Sequence, residues 1–175
     1  YFTIMIYIFG GAFDPPHIWH ATIIRAILHF KNPEKIVIIP SSERDDKKYK
    51  TSPEHRLKML ELFVKDLRDD RVILDDFFVK NWHGEMITKD VDLYAREKYG
   101  ENIVHIFGTD TIKSMPDWDS ENYASKKIAK IFIPRDDFDE KNNEKFLSQI
   151  ENFEIFTESH FPKISSTEIR EKIPE

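Results

Sequence analysis

Apolar residues follow two rhythms along this chain. Short runs without alternation have strand length and the β-branched bias of strands buried on both faces: Ile4-Met5-Ile6-Tyr7-Ile8, Lys35-Ile36-Val37-Ile38-Ile39-Pro40 and Asn102-Ile103-Val104-His105-Ile106-Phe107. Between them, apolar positions recur every three or four residues. Ile23, Ile24, Ile27 and Leu28 predict a helix from Pro16 or His17 to about Phe30, ended by Lys31-Asn32-Pro33. Leu57, Met59, Leu60, Leu62, Phe63 and Leu67 predict the buried face of a second helix, capped by Thr51 or Ser52 with Pro53 and Glu54 in its first turn. Arg71 to Asp75 reads as a third strand, residues 76 to 86 as a loop broken at Gly84, and Ile87 to Tyr99 as a third helix closed by Gly100.

The rest of the chain repeats the pattern. Ile128 to Pro134 predicts a fifth strand, residues 135 to 145 a solvated loop and helix start, and Phe153 to Phe156 an alternating strand at a sheet edge. Ile164 to Arg170 opens a last helix, with Ser165 and Glu168 spaced as a capping box. Strands that alternate with helices predict an α/β fold: a doubly wound, mostly parallel sheet in a single domain over residues 1–175.

Composition narrows the function more than the fold. The chain has 175 residues and no cysteine, so disulfides and thiolate metal sites are excluded and a reducing cytoplasm is the expected location. No apolar run approaches the roughly 20 residues that cross a membrane. The N-terminal apolar run leads straight into Gly10-Gly11, unlike a secretory signal, and Met5 is a candidate first residue. The net charge of −6 argues against broad binding to a nucleic-acid backbone. It leaves room for a small anion at a local basic site.

Such a site is written between the first strand and the first helix. Phe9-Gly10-Gly11-Ala12-Phe13-Asp14-Pro15-Pro16-His17-Ile18-Trp19-His20 puts two glycines at a strand end and two histidines at a helix start. Glycine admits close backbone approach, and a helix N-terminus offers unpaired N–H groups and a positive dipole end, a natural phosphate seat. His17 and His20, three apart, share a helix face. Gly108-Thr109-Asp110 puts a second glycine and an acid where the fourth strand ends, at the ligand-binding edge of such sheets. Lys47, Lys48 and Lys50 in the long polar loop, and the Ser165-Ser166-Thr167 helix start with Arg170, are further anion contacts, alongside their plain roles as solvated loop and helix cap.

These segments together resemble the nicotinate mononucleotide adenylyltransferases, of the His-x-Gly-His nucleotidyltransferase superfamily. Gly10 to His20 is similar to the family's Gly-Gly-x-Phe-Asp-Pro-x-His-x-Gly-His, His55-Arg56 to its His-Arg segment, and Thr88-Lys89-Asp90 to its Thr-x-Asp. Gly108-Thr109-Asp110 with Trp118, and Ile164-Ser165-Ser166-Thr167-Glu168-Ile169-Arg170, complete the likeness in order. The resemblance implies a Rossmann-like fold and adenylyl transfer from ATP to a pyridine mononucleotide. It implies that His17 and His20 act on the reacting phosphates, with Gly10, Gly11, Phe13, Trp19, Gly108, Asp110, Ser166, Thr167 and Arg170 binding ATP. Ala12, Lys47, Thr88 and Trp118 are the implied contacts to the mononucleotide. Mg²⁺ is implied on the ATP phosphates, with no protein metal site, and neither nucleic acid nor membrane as partner. A homo-oligomer is left open.

Two departures stand out. Arg44-Asp45-Asp46 replaces the family's Pro-Pro-His before Lys47, and Trp19 stands where the family has a glycine beside the adenine. Trp19 has three outcomes open to it: turning into the core, stacking on the base, or blocking the ATP pocket. Beside adenylyl transfer to nicotinate mononucleotide stand transfer of an adenylyl or cytidylyl group to another acceptor, such as phosphopantetheine, and a nucleotide-binding protein that has lost catalysis.

Overall fold

Period-two alternation along the first strand decides how the layers assemble. In β1 (Ile6–Gly11), Tyr7 and Phe9 face one way and Ile6 and Ile8 the other, and all four are buried. A strand buried on both sides lies between two helical layers, which is why its sequence shows no polar alternation. The computed structural model describes residues 4–42, 51–82, 84–135 and 138–158 and the single positions 161, 167 and 169.

The elements follow in the order β1, α1 (Ile18–Phe30), β2 (Lys35–Pro40), α2 (Pro53–Leu67), β3 (Val72–Leu74), α3 (Phe77–Asn81), α4 (Thr88–Tyr99), β4 (Ile103–Gly108), β5 (Lys130–Ile133), α5 (Glu140–Leu147) and β6 (Phe153–Ile155). The six strands form one sheet in the order β3-β2-β1-β4-β5-β6, every neighbouring pair parallel. The order reverses at β1, with β2 paired on one side and β4 on the other. The carboxyl ends of β1 and β4 therefore flank the crevice where doubly wound sheets receive ligands.

One layer packs Ile23, Ile24 and Ile27 of α1 and Leu60 of α2 on Tyr7, Phe9, Ile36, Ile38 and Ile106. The opposite layer packs Phe78, Val91 and Ala95 on Ile6, Ile8, Val37, Ile39 and Ile103. Each wholly buried isoleucine contributes on the order of 1.5–3 kcal/mol relative to exposure. Between β4 and β5 two 3₁₀ turns (Thr109–Thr111, Met115–Asp117) and a π-helical turn (Tyr123–Lys127) sit on Ile112, Met115, Ala124 and Phe132.

The expected architecture is present, with two corrections. Residues 76 to 86 are not all loop, because Phe77–Asn81 forms a short helix. The Asp75 carboxylate accepts the Phe77 N–H at its start, and Phe78 is fully buried. Leu62 does not belong to the buried face of α2 and is 63% exposed. Its neighbours Arg56, Leu57 and Leu60 form the stripe, and Leu62 lies about 200° around the helix from Leu60. The Ser52 cap holds, its Oγ accepting the His55 N–H. The capping box of Ser165 and Glu168 lies outside the described residues, although Thr167 and Ile169 are helical.

Candidate active site

The two glycines that end β1 release the chain toward α1 through Ala12 to His17. At Gly11 a side chain would press on a ring, since an ideal Cβ lies 3.3 Å from Phe13 Cε2 and the ring would have to give by a few tenths of an ångström. Phe13 adopts left-handed backbone geometry, φ 48°, and is 2% exposed. A residue so placed costs about 1–3 kcal/mol and persists only where its surroundings fix it. Here Phe9 meets it edge-on at 5.5 Å and His20 lies at 4.9 Å between ring centroids.

His17 and His20 come together as their spacing predicts, with ring centroids 4.0 Å apart. The His17 backbone N–H donates to His20 Nδ1 at 3.1 Å. An accepting Nδ1 in a neutral ring leaves the proton on Nε2, so His20 is fixed as an Nε2–H donor. Burial, then the charges of His17 and Arg135, lower its pKa to about 3. His20 therefore offers a hydrogen bond at neutral pH, and the nearby N-terminus of α1 supplies the positive potential.

Arg56 is the residue that periodicity alone undervalues. It is 0% exposed, and its Nη1 donates to the carbonyls of Ala12 and Ser41, each at 3.0 Å. Ser41 N–H in turn donates to Gly11 O at 2.8 Å. A buried guanidinium thus ties the turn after β1 to the end of β2. Its position on the stripe with Leu60 is the signal that sequence offered: an arginine at a core position of an amphipathic helix.

Trp19 turns inward. It is 6% exposed and belongs to the core cluster between α1 and the sheet. The Arg135 guanidinium covers its indole, 4.6 Å from the ring centroid. Arg135 leaves the end of β5, its N–H donates to Thr109 Oγ1 at 3.0 Å, and its Nε pairs with Asp110 Oδ1 at 3.3 Å. The carboxylate folds back over Gly108, where an ideal Cβ would lie 2.3 Å from Asp110 Oδ1. Both charged side chains are partly in solvent, so the ion pair contributes on the order of 0–1 kcal/mol and the stacking a similar amount.

Trp118 is half-buried on the other side of β4. Its Nε1–H donates to Ser114 Oγ at 3.1 Å, and Phe107 meets it edge-on at 5.5 Å. Thr88 opens α4, whose first turn is capped by Asp90 accepting the Ile87 N–H. Lys89 bonds Glu121 at 2.8 Å, which ties the start of α4 to the segment just past Trp118. Beneath lies a buried set: Asp92 receives Arg96 Nε and Tyr123 Oη and contacts His105 Nε2 at 2.8 Å. Burial raises the Asp92 pKa, but these bonds outweigh it and hold the carboxyl at about 2.

The predicted residues thus divide in three. Gly10, Gly11, Ala12, Phe13, His17, Trp19, His20, Gly108 and Asp110 surround the crevice at the ends of β1 and β4. Thr88 opens α4, and the neighbouring Lys89 bonds Glu121, three residues past Trp118. Thr167 is exposed and helical, whereas Lys47, Ser166 and Arg170 lie outside the described residues. Among the described residues no group of three His, Cys, Asp or Glu side chains is placed to hold a metal ion, and no helix is long and apolar enough to cross a membrane.

This geometry has relatives. Residues 8–172 match the cytidylyltransferase-like family. A protein of Sulfurimonas denitrificans named "Probable nicotinate-nucleotide adenylyltransferase" is 31% identical over 96% of this chain and 85% of its own. One of the same name from Fusobacterium nucleatum is 32% identical over 96% and 86%. Among solved structures, Plasmodium falciparum nicotinic acid mononucleotide adenylyltransferase complexed with NaAD shares the fold, with a TM-score of 0.80 at 22% identity over 97% of this chain and 83% of that one. By sequence along nearly its whole length, then, the chain belongs to the cytidylyltransferase-like family, in its nicotinate-nucleotide adenylyltransferase branch.

Proposed function

We propose that this protein transfers the adenylyl group of ATP to nicotinate mononucleotide, releasing pyrophosphate and forming nicotinate adenine dinucleotide, a step in the biosynthesis of NAD. The observation that carries this reading is the His17–His20 pair, with a neutral Nε2–H donor fixed by backbone at the positive end of α1. The names of the relatives supply the acceptor.

A phosphate oxygen of the mononucleotide attacks the α-phosphorus of ATP in line. The new P–O bond forms as the bond to the bridging oxygen of the β-phosphate breaks, and pyrophosphate leaves with the electron pair. No protein nucleophile takes part, so the reaction needs neither a thiol nor an activated serine. Catalysis rests on alignment and on donors aimed at oxygens that gain charge. His20 Nε2–H and His17 serve those oxygens, and Gly10, Gly11 and Phe13 bring backbone N–H groups close to them. Ser166, Thr167 and Arg170 hold the ATP phosphates through hydroxyls and a guanidinium. Asp110 accepts from the ribose hydroxyls beside Gly108, and Trp19 lies against the base. Ala12 and Lys47 contact the mononucleotide phosphate, Trp118 stacks on the pyridine, and Thr88 lies at its substituent. Mg²⁺ arrives with ATP, held by phosphate oxygens and water, in keeping with its reluctance to shed water for a protein cage.

Product analysis tests the assignment. Mass spectrometry after incubation with MgATP is expected to show nicotinate adenine dinucleotide with nicotinate mononucleotide, and far less product with nicotinamide mononucleotide or phosphopantetheine. A dominant product from phosphopantetheine would reassign the acceptor. Gly108→Ala gives a second check. The added Cβ displaces the exposed Asp110 carboxylate rather than backbone. The expected result is a Tm shifted by no more than the effect of about 1 kcal/mol and a KM for ATP raised about three- to tenfold.

A further inference from the structure

In this chain the flat indole of Trp19 is roofed by a partly exposed side chain. Its inner surroundings are core: Phe9, Phe13, Ile23 and Ile133 share its cluster. Its covered side carries the Arg135 guanidinium at 4.6 Å. The Arg135 backbone N–H donates to Thr109 Oγ1, and the side chain is held by the exposed Asp110 carboxylate and the indole face. The side chain itself is 36% exposed, and its carboxylate partner Asp110 is 55% exposed. A guanidinium and a nucleobase are both planar π groups that stack on indole. The stack sits beside His17 and His20, where ring centroids place Trp19 at 6.5 and 5.7 Å.

Resting on the adenylyl-transfer reading for the identity of the nucleotide, we propose that Trp19 is the stacking platform for the purine base and that Arg135 is its cover in the free protein. Base and guanidinium compete for one indole face. Nucleotide entry lifts Arg135 from Trp19 and from Asp110 together, so the motion that bares the platform also frees the carboxylate for the ribose. The weak, half-solvated bonds of Arg135 suit a group that must leave, and its removal exposes no buried unpaired charge. Arg135 is thus a positioning residue that sets the threshold for nucleotide entry.

Calorimetric titration with AMP tests this, because AMP carries the base and ribose without the polyphosphate that Arg135 would also attract. Trp19→Phe keeps an aromatic face and Trp19→Leu keeps apolar bulk without one. AMP is expected to bind Trp19→Phe within a few-fold of the parent and Trp19→Leu at least about tenfold more weakly. Arg135→Ala, which uncovers the indole, is expected to bind AMP about two- to fivefold more tightly. Thermal melts of each variant confirm folding, and the Phe–Leu comparison holds at matched Tm. Equal affinity for the two Trp19 variants, or tighter binding by Trp19→Leu than by the parent, would overturn the platform and make Trp19 a plug. Unchanged or weaker AMP binding by Arg135→Ala would overturn the cover. Adenylyl transfer assayed alongside separates this from the parent reading. The expected ranking without product formation would reject the reaction and keep the platform, and product formation with a flat ranking would do the reverse.

Discussion

Replacing His20 with alanine lowers kcat for adenylyl transfer by about 10²–10³-fold, the usual effect of losing one fixed donor to a phosphoryl or acyl oxygen that gains charge in the transition state. KM for ATP changes much less, because the donor meets its full charge only as the α-phosphorus is attacked. The structure also fixes the pH dependence. Burial, with the charges of His17 and Arg135, keeps the His20 pKa at about 3, so the ring is neutral across the range of assay. The pH profile of kcat/KM is therefore expected to carry no His20 step between about pH 5 and 9. An alkaline fall near pH 6.5 that vanishes in His20→Ala would mean instead that the charged imidazolium is the working form.

Asp92→Ala has the largest expected effect on stability, a loss of about 3–5 kcal/mol, because it strands the buried His105 and half-buried Arg96 without their shared carboxylate. Its acid dependence follows in sign. The folded pKa of Asp92 is depressed to about 2 from the ordinary 3.8, so its contribution is complete above the unfolded value and fades as pH falls from about 4 to about 2. Urea titrations from neutral to acid pH are expected to show a shallower acid slope in Asp92→Ala than in the parent. Identical slopes would assign the acid sensitivity to other carboxylates.

Most of the architecture was legible because strands buried on two faces and helices buried on one leave different rhythms. Runs such as Ile36 to Ile39 have no alternative use in a chain of this size, and Ser52 with Pro53 marks a helix start by its own chemistry. The short helix at Phe77 was hidden because five residues hold too few turns to show a period, and its cause is tertiary: Asp75 accepts the Phe77 N–H while Phe78 fills the core. The turns between β4 and β5 escaped for the same reason, having one or two turns each on a cluster assembled from distant residues.

The site was legible where chemistry sits in one segment. The strand, glycine pair and His-x-x-His of residues 9 to 20 are contiguous, and the fold needed only to close the histidines to 4.0 Å. What sequence could not show is pairing across segments. Arg135 opens a charge-rich stretch and reads as solvated, yet it lies over Trp19 and pairs with Asp110 in the turn after β4. Arg56 enters by sequence only within the His55-Arg56 resemblance, and the fold buries it where it bridges Ala12 to Ser41. Trp19 had three readings by sequence, and the fold turns it into the core with one face under Arg135.

Direct adenylyl transfer to a pyridine mononucleotide is read out by pyrophosphate release. With MgATP alone the protein is expected to release almost no pyrophosphate. Adding nicotinate mononucleotide is expected to start sustained release in step with dinucleotide formation, well ahead of the rate with nicotinamide mononucleotide. Release that is absent with both acceptors, or that runs equally fast without any acceptor, would contradict the account.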